Sequence, residues 1–129
     1  MSTPPLKLGF KQMLAQANAV IETVSVPDLP YLQDDPEVVI VDVRDEAERE
    51  REGAIPYSVH APRGLLEFMA DPESPIYNDA LTTDRRLVLF CGTGGRSALA
   101  AKTLVDMGYP EVLSLAGGYA AWSAAQKAE

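Results

Sequence analysis

Cys91 and the residues that follow it form the segment of this chain with the clearest chemical potential. The cysteine follows the apolar run 87–90 and opens a glycine-rich turn, Cys91-Gly92-Thr93-Gly94-Gly95-Arg96-Ser97. Three glycines allow the backbone to curl until successive N–H groups point inward and form an anion-binding concavity. A helix that starts after the turn adds the positive end of its dipole. These donors lower a thiol pKa, and because the thiolate is the attacking form, we predict that Cys91 is a catalytic nucleophile.

Three other interpretations of this turn fit the residues less well. A free cysteine at a strand end is most often a small buried apolar residue, but the glycines and the helix start favour a reactive thiol. A dinucleotide fingerprint needs G-x-G-x-x-G and an acidic residue ending the next strand. Here Ser97 occupies the third glycine position, and the next strand ends at Leu115 without an acid. A Walker A loop needs G-K-[ST], which the sequence lacks.

The turn also supplies the candidate substrate-binding residues, because its backbone would hold an anionic substrate or a charged sulfur. They are Gly92, Thr93, Gly94, Gly95, Arg96 and Ser97. We interpret Ser97 as the helix N-cap and as a second candidate donor to the substrate. Arg96 either lines the pocket or forms a structural ion pair. Asp42, at the end of an earlier strand, is the candidate partner of Arg96 and a structural support for the site.

Charged residues outside the turn are weaker candidates. Arg63 precedes a predicted helix and either reaches the pocket mouth as a further substrate-binding residue or is a solvated surface arginine. Arg44 is interpreted as structural, at the start of a charged helix face. His60 is interpreted as structural, because a thiolate made by backbone amides needs no general base. One cysteine and one histidine, with no carboxylates at ligand spacing, predict no metal site, and we expect no cofactor.

Alternating strands and helices predict the scaffold that positions Cys91. Apolar and extended runs indicate strands at 22–26, 38–43, 55–61, 87–90 and 112–115. Helical patterns cover 45–52, 63–70, the segment after Arg96 that Gly108 stops, and the segment after Gly117-Gly118; residues 72–86 are a loop with room for one helical turn. The alternation predicts an α/β fold, a sandwich of helices around a mostly parallel central sheet. Cys91 would lie at the carboxyl end of a strand, where such sheets bind ligands.

The N-terminal segment has its own pattern. Apolar residues between Phe10 and Ile21 recur at helical spacing and predict an amphipathic helix. The helix either packs on the rest of the chain or pairs with a second copy, so a homodimer is one alternative. We therefore divide the chain into an N-terminal amphipathic helical extension, residues 1–21, and one domain, residues 22–129.

Composition narrows the classes of partner. The formal net charge is −8, from 19 acidic and 11 scattered basic residues, which argues against binding to nucleic acid. No apolar run approaches the roughly 20 residues of a membrane span, so we expect no membrane partner. The N-terminus lacks the pattern of a secretory signal, and a lone thiol suits a reducing compartment. These features predict a cytoplasmic protein.

Three motifs of this sequence, which follow one another along the chain, resemble signatures of the rhodanese family. The turn 91–97 is similar to its active-site loop, with four residues between the cysteine and the arginine. Residues 41–62 are similar to its first signature (D-V-R, E, G-H-I-P, P), and Gly117-Gly118 with Trp122 looks like its closing G-G-x-x-x-W. The sequence departs from the pattern at Ala54, Tyr57 and His60, outside the sulfur-binding loop. The resemblance implies a rhodanese-like three-layer sandwich.

The resemblance also implies a reaction. Cys91 would take sulfane sulfur from thiosulfate or a persulfide donor, hold it as a persulfide, and deliver it to cyanide, a small thiol or an acceptor protein. The four-residue gap matches the sulfurtransferase branch, whereas the related phosphatases use one more residue. A non-enzymatic rhodanese-like binding or regulatory module is the main alternative, although such modules typically lack the cysteine. Arg96 is the loop's single charge, so we expect weak binding of a doubly charged donor.

Overall fold

The computed structural model describes residues 3–128. Within these residues, five strands form one sheet in the order β1-β5-β4-β2-β3, and all neighbouring pairs are parallel. The strands are β1 (Glu22–Val24), β2 (Val38–Asp42), β3 (Val59–His60), β4 (Arg86–Phe90) and β5 (Val112–Leu115). The predicted α/β sandwich around a mostly parallel sheet is confirmed.

Helices cover both faces of the sheet. They are α1 (Phe10–Val20), α2 (Leu29–Gln33), α3 (Glu46–Glu52), α4 (Leu66–Met69), α5 (Gly95–Met107) and α6 (Gly118–Lys127). Short 3-10 turns precede α2 at Val26–Asp28 and α4 at Arg63–Leu65. Glycines end two of the helices: Gly53 follows α3, and Gly108, as predicted, follows α5 in the left-handed conformation that favours glycine.

Strand β4 shows how the two faces are filled. Leu87, Leu89 and then Cys91 point into one apolar core, which α1, α4 and α5 cover. Val88 and Phe90 point into the other core, beneath α2 and α6. Alternate residues of an extended strand face opposite sides, so a strand covered on both faces is continuously apolar. Burial on both faces explains the apolar run 87–90. The alternation also places Cys91 on the face of the sheet that α5 covers.

The N-terminal helix lies against this same core. Ala17 of α1 is fully buried and Leu14 packs against the core cluster, whereas Phe10 and Val20 remain exposed. The helix therefore packs on its own chain through one side. The boundary at residue 21 stays a prediction, and Met1, Ser2 and Glu129 lie outside the described residues.

The long segment before β4 is a series of turns rather than a helix. Tyr109 anchors its two ends, because its buried hydroxyl lies 2.7 Å from the Ala70 carbonyl oxygen and 3.0 Å from that of Leu81 and shares its hydrogen between them. Burial raises the pKa of Tyr109 to about 12, so the hydroxyl remains a donor at neutral pH. No helix within residues 3–128 has both the length and the apolar character needed to cross a membrane.

Candidate active site

Cys91 directly follows β4, and its sulfur lies inside the turn that leads into α5. The backbone N–H of Gly94 donates to Cys91 Sγ at 3.1 Å, and the N–H of Ser97 donates at 3.3 Å. Gly94 adopts a left-handed conformation, with φ of +115°, at the N-cap of the helix. This turn aims free amide hydrogens and the helix dipole at one sulfur atom. The arrangement suits a sulfur that carries negative charge.

The surroundings of the sulfur act on its pKa in opposite directions. Burial raises the pKa of the Cys91 thiol, because a charged sulfur is poorly solvated there. Hydrogen bonds from the hydroxyl and N–H of Ser97 and from the N–H groups of Gly94 and Thr93 lower it and prevail. The pKa of Cys91 therefore lies below its ordinary value. More of the reactive thiolate is present at neutral pH than in an unstructured chain.

Ser97 has a different place from the one predicted. Helix α5 begins at Gly95 with Gly94 as its N-cap, so Ser97 is the third helical residue and the N-cap interpretation is wrong. Its buried hydroxyl lies 3.5 Å from Cys91 Sγ, 3.2 Å from the Gly94 carbonyl oxygen and 2.8 Å from Ser114 Oγ. Gly94 can start the helix because it adopts a positive φ freely. Ser97 is thereby available to the sulfur.

Arg96 forms an ion pair with a residue that the sequence did not suggest. Its Nη1 and Nη2 donate to the two carboxylate oxygens of Glu48 on α3, both at 2.8 Å. The predicted pair with Asp42 is wrong. The Arg96 hydrogen bonds lower the pKa of Glu48 to about 2, and Glu48 in turn raises the pKa of Arg96. Glu48 also accepts the Asp45 N–H in a capping box, which ties the loop to the start of α3.

Asp42 is a buried support for Arg44. The Nε and Nη2 of Arg44 donate to the two Asp42 oxygens at 3.0 and 2.9 Å, and Arg49 Nη1 donates at 3.0 Å. Burial raises the pKa of Asp42, but the hydrogen bonds and charge of Arg44 outweigh it, so the pKa lies below its ordinary value and the carboxylate remains charged. Arg44 itself is fully buried, with its guanidinium carbon 4.3 Å from the centre of the Tyr119 ring and 5.3 Å from that of Phe90.

The Asp42–Arg44 pair corrects one prediction and reveals a signal in the sequence. Arg44 lies in the core, not on a charged helix face. Residues i and i+2 of an extended chain lie on the same face, so the D-V-R spacing already places the two side chains together. Arg44 Nη2 also donates to the Gly53 carbonyl at 2.7 Å, beyond the end of α3. The pair joins β2 to the middle of α3 through Arg49 and to the C-terminal end of α3 through Gly53.

Arg63 and His60 make contacts outside the sulfur-binding turn. Arg63 Nη1 donates to Glu67 Oε1 at 2.9 Å, and its Nη2 donates to Thr103 Oγ1 at 3.2 Å, midway along α5. These contacts tie the start of α4 to the side of α5 and do not support a place at the pocket mouth. His60 Nε2 lies 2.7 Å from the Arg44 carbonyl oxygen. This contact favours the structural interpretation of the histidine.

The N-terminus of α6 holds the active-site loop from its other side. The Tyr119 N–H donates to the Cys91 carbonyl at 2.8 Å, and the Ala120 N–H donates to the Gly92 carbonyl at 3.0 Å. A Cβ on Gly118 would lie 2.6 Å from the Cys91 carbonyl oxygen, and this glycine has φ of +63°. A glycine is therefore required there. With its carbonyls bonded to α6, the loop turns its N–H groups toward the sulfur.

Several known proteins are similar to this chain. A "Sulfurtransferase" from Allochromatium vinosum is 36% identical over 92 residues, which cover 71% of this chain and 78% of that protein. A "Thiosulfate sulfurtransferase GlpE" from Pseudoalteromonas translucida is 32% identical and covers 79% of this chain and 89% of its own. A solved structure from Rhodopseudomonas palustris, described as a protein of unknown function and possible tyrosine phosphatase, has 43% identity and a TM-score of 0.90, covering 98% of this chain and 97% of its own.

No group of three histidine, cysteine, aspartate or glutamate side chains placed to hold a metal ion occurs within residues 3–128. The site consists of the Cys91 thiol, the amides of its loop, the hydroxyls of Ser97 and Ser114, and the Arg96–Glu48 ion pair. The family model described as "Rhodanese-like domain" matches residues 25–125, which hold strands β2 to β5, the Cys91 loop and most of α6. This chain therefore belongs to the rhodanese-like domain family.

Proposed function

We propose that this chain is a rhodanese-type sulfurtransferase that carries sulfane sulfur as a persulfide on Cys91. The contacts of Cys91 Sγ carry the proposal: two backbone N–H groups lie 3.1 and 3.3 Å away at the start of α5. The same donors that stabilise a thiolate also stabilise the anion of a persulfide at this position. Relatives named as sulfurtransferases support this class of reaction.

The reaction proceeds in two displacements at sulfur. The Cys91 thiolate attacks the terminal sulfur of the donor and forms a new S–S bond. With thiosulfate, the bond to the sulfonate sulfur breaks, and sulfite leaves with the electron pair. An acceptor thiolate or cyanide then attacks the outer sulfur of the persulfide, and the Cys91–sulfur bond breaks to return the thiolate. Each step conserves charge and needs no external oxidant or reductant.

Burial and charge together define the donor that this site favours. Cys91 is only 1% exposed, so the transferable sulfur must lie at the narrow end of the donor, as it does in thiosulfate or a persulfide. Arg96 is the single charge of the loop and is neutralised by Glu48. A dianion therefore gains little from it. We propose that the preferred donor is a persulfide with little additional negative charge and that thiosulfate is a poorer substrate.

A phosphatase-like activity is the rival that the Rhodopseudomonas palustris match raises. Phosphate ester chemistry requires a cradle that bonds several phosphate oxygens and a cation that balances their charge. Four residues separate Cys91 from Arg96, and both ends of the Arg96 guanidinium are already bonded to Glu48. The loop dimensions thus favour a single sulfur atom over a phosphoryl group.

The acceptor and the biological setting are part of the proposal. The acceptor is a small thiol or cyanide, with an acceptor protein as the alternative. Cytoplasmic location and a homodimer that uses the exposed side of α1 stay predictions. Phe10 and Val20 are the residues whose replacement would test the dimer, by a change in oligomeric state in solution.

Intact-mass measurement tests the carrier role of Cys91. After incubation with thiosulfate or an alkyl persulfide, we expect the protein to gain the mass of one sulfur atom and to lose it when cyanide is added. Cys91→Ser should gain none. Because Cys91 is the single cysteine of the sequence, the added mass needs no further assignment. Absence of uptake from every donor, or hydrolysis of an aryl phosphate that depends on Cys91, would contradict the proposal.

A further inference from the structure

Strand β5 carries a buried hydroxyl that the reaction described above does not use. All four of its residues are buried, and three of them are apolar: Val112, Leu113 and Leu115. The fourth, Ser114, is 4% exposed, and its Oγ lies 2.8 Å from Ser97 Oγ. A buried hydroxyl that lacks a hydrogen-bond partner is destabilising, so its partner identifies its role.

The two serines and the cysteine form a chain of three polar atoms. Ser114 Oγ is 2.8 Å from Ser97 Oγ, and Ser97 Oγ is 3.5 Å from Cys91 Sγ. Ser97 has a single hydroxyl hydrogen, and the Gly94 carbonyl oxygen, 3.2 Å away, also competes for it. The direction of each hydrogen bond in the chain therefore depends on whether the sulfur holds a proton.

With a neutral thiol, the S–H group donates to Ser97 Oγ, and Ser97 donates onward to the Gly94 carbonyl or to Ser114. With a thiolate, the sulfur can only accept, so Ser97 must turn its hydrogen toward Sγ. Its oxygen then loses the bond from the thiol and needs another donor. Ser114 is positioned to be that donor. In this charged state the hydroxyl of Ser114 therefore replaces the donor that Ser97 has lost.

We propose that Ser114 is a positioning residue, which acts through Ser97 to stabilise the charged form of the Cys91 sulfur. Ser97 is also a major cause of the lowered pKa of Cys91, which agrees with a relay that ends at Ser97. The other charged group near the sulfur is Arg96, which is paired with Glu48 from α3. The hydrogen bonds of Arg96 and Glu48 do not involve Ser114, so a change at Ser114 leaves the pair in place.

Titration of Cys91 in Ser114→Ala tests the proposal. Thiolate absorbance in the ultraviolet against pH reports this one residue, because the sequence has no other cysteine. Loss of the neutral hydrogen bond that Ser114 donates to Ser97 when the sulfur is charged predicts a rise of about 0.5 to 1 in the pKa of Cys91. Below that pKa, the thiolate fraction falls about three- to tenfold. Ser114→Thr, which retains the hydroxyl, is expected to keep the pKa of the unmodified protein.

Ser58→Ala is the matched control. Ser58 Oγ also accepts a hydrogen bond, from Arg49 Nη1 at 3.1 Å, but it lies outside the chain of atoms that leads to Cys91. We expect this variant to leave the thiol pKa unchanged. An unchanged pKa in folded Ser114→Ala would overturn the proposal, and so would an equal rise in Ser58→Ala.

The catalytic consequence rests on the proposed function, but the titration does not. If Ser114 also stabilises the persulfide anion, sulfur uptake from a persulfide donor should slow in Ser114→Ala in proportion to its lost thiolate. A pKa shift in a protein that takes up no sulfur would uphold Ser114 as a positioning residue while the sulfurtransferase proposal fails. Normal sulfur uptake with an unshifted pKa would instead uphold the sulfurtransferase proposal and reject Ser114 as a positioning residue.

Discussion

Arg96 of the active-site loop and Glu48 of α3 form a two-point ion pair, with both N–O distances at 2.8 Å. Arg96 also folds back over the loop, since a Cβ on Gly92 would lie 3.1 Å from its Nη2. The pair fixes the position of the loop and cancels its single charge at the same time. These two effects can be separated by experiment.

Glu48→Gln is the first prediction. A glutamine still accepts the Asp45 N–H, so the capping box of α3 is retained while Arg96 gains a free charge. Because exposed ion pairs contribute up to about 1 kcal/mol, we expect the KM for thiosulfate to fall about two- to fivefold. The KM for an alkyl persulfide of low charge should change less. Steady-state kinetics with both donors provides the measurement.

The exposed residue Glu50, on the same helix, supplies the control for this experiment. Glu50→Gln changes the net charge of the protein by the same amount but does not touch the loop pair. Equal effects of the two variants, or equal effects on both donors, would show that Glu48 does not set donor preference.

Ser97→Ala should raise the pKa of Cys91. The variant removes the hydroxyl that lies 3.5 Å from the sulfur and retains the Ser97 N–H that donates at 3.3 Å. We expect a rise of about one unit, toward the ordinary thiol value of 9.0. The sign follows from linkage: a hydrogen bond to the thiolate lowers the pKa, so its loss moves the onset of reactivity to higher pH.

The pH dependence of alkylation by iodoacetamide measures this shift. In the unmodified protein the rate should reach half its maximum below pH 9.0, and in Ser97→Ala the midpoint should move upward. Identical midpoints in the two proteins would mean that the loop amides alone stabilise the thiolate.

Arg44→Gln is expected to destabilise the fold strongly. It leaves the buried Asp42 carboxylate with Arg49 as its remaining charged partner and removes the cation that lies against the Phe90 and Tyr119 rings. Breaking a buried pair in this way lowers the free energy of unfolding by about 3–5 kcal/mol. Urea denaturation followed by circular dichroism is the measurement. Arg51→Gln, which breaks an exposed ion pair on α3, should cost less than about 0.5 kcal/mol.

Gly118→Ala tests the contact between α6 and the loop. The new methyl group would lie 2.6 Å from the Cys91 carbonyl oxygen, at a positive φ that alanine adopts poorly. We expect a loss of at least about 1 kcal/mol in stability together with a raised Cys91 pKa, because the loop is pushed away from its amide geometry. Gly64→Ala is the control, because its new methyl group would lie more than 4 Å from the atoms around it, its chain neighbours aside. A stable variant with an unshifted thiol pKa would argue against this coupling.

Much of the scaffold follows from local patterns. The β-branched run of β2 and the apolar run before Cys91 are predicted as buried strands by their composition. Both are buried on both faces of the sheet, as such continuous apolar runs indicate. Gly53 and Gly108 mark helix ends by backbone conformation alone. The reactive setting of Cys91 was also predictable, since a glycine-rich turn between a strand and a helix directs amides at the side chain before it.

The side-chain contacts of the site, by contrast, could be identified only in the folded chain. Arg96 and Glu48 are 48 residues apart, and only the return of α3 beside the loop brings them together. Asp42 looked like the partner because it ends a neighbouring strand, but Arg44 two residues later occupies its carboxylate. Ser114 gave no signal within an apolar strand pattern, because β5 is buried on every side and its hydroxyl meets Ser97 across the interior.

The bonds from Tyr119 and Ala120 of α6 to the loop carbonyls have a consequence for the order of events during synthesis. Helix α6 follows the nucleophile in the chain, so a ribosome produces Cys91 well before the segment that orients its loop. Until that helix docks, the thiol is expected to behave as an ordinary, largely protonated cysteine. The nascent chain would thus react more slowly with electrophiles and sulfur donors, and full reactivity of the thiol would begin when α6 docks on the loop.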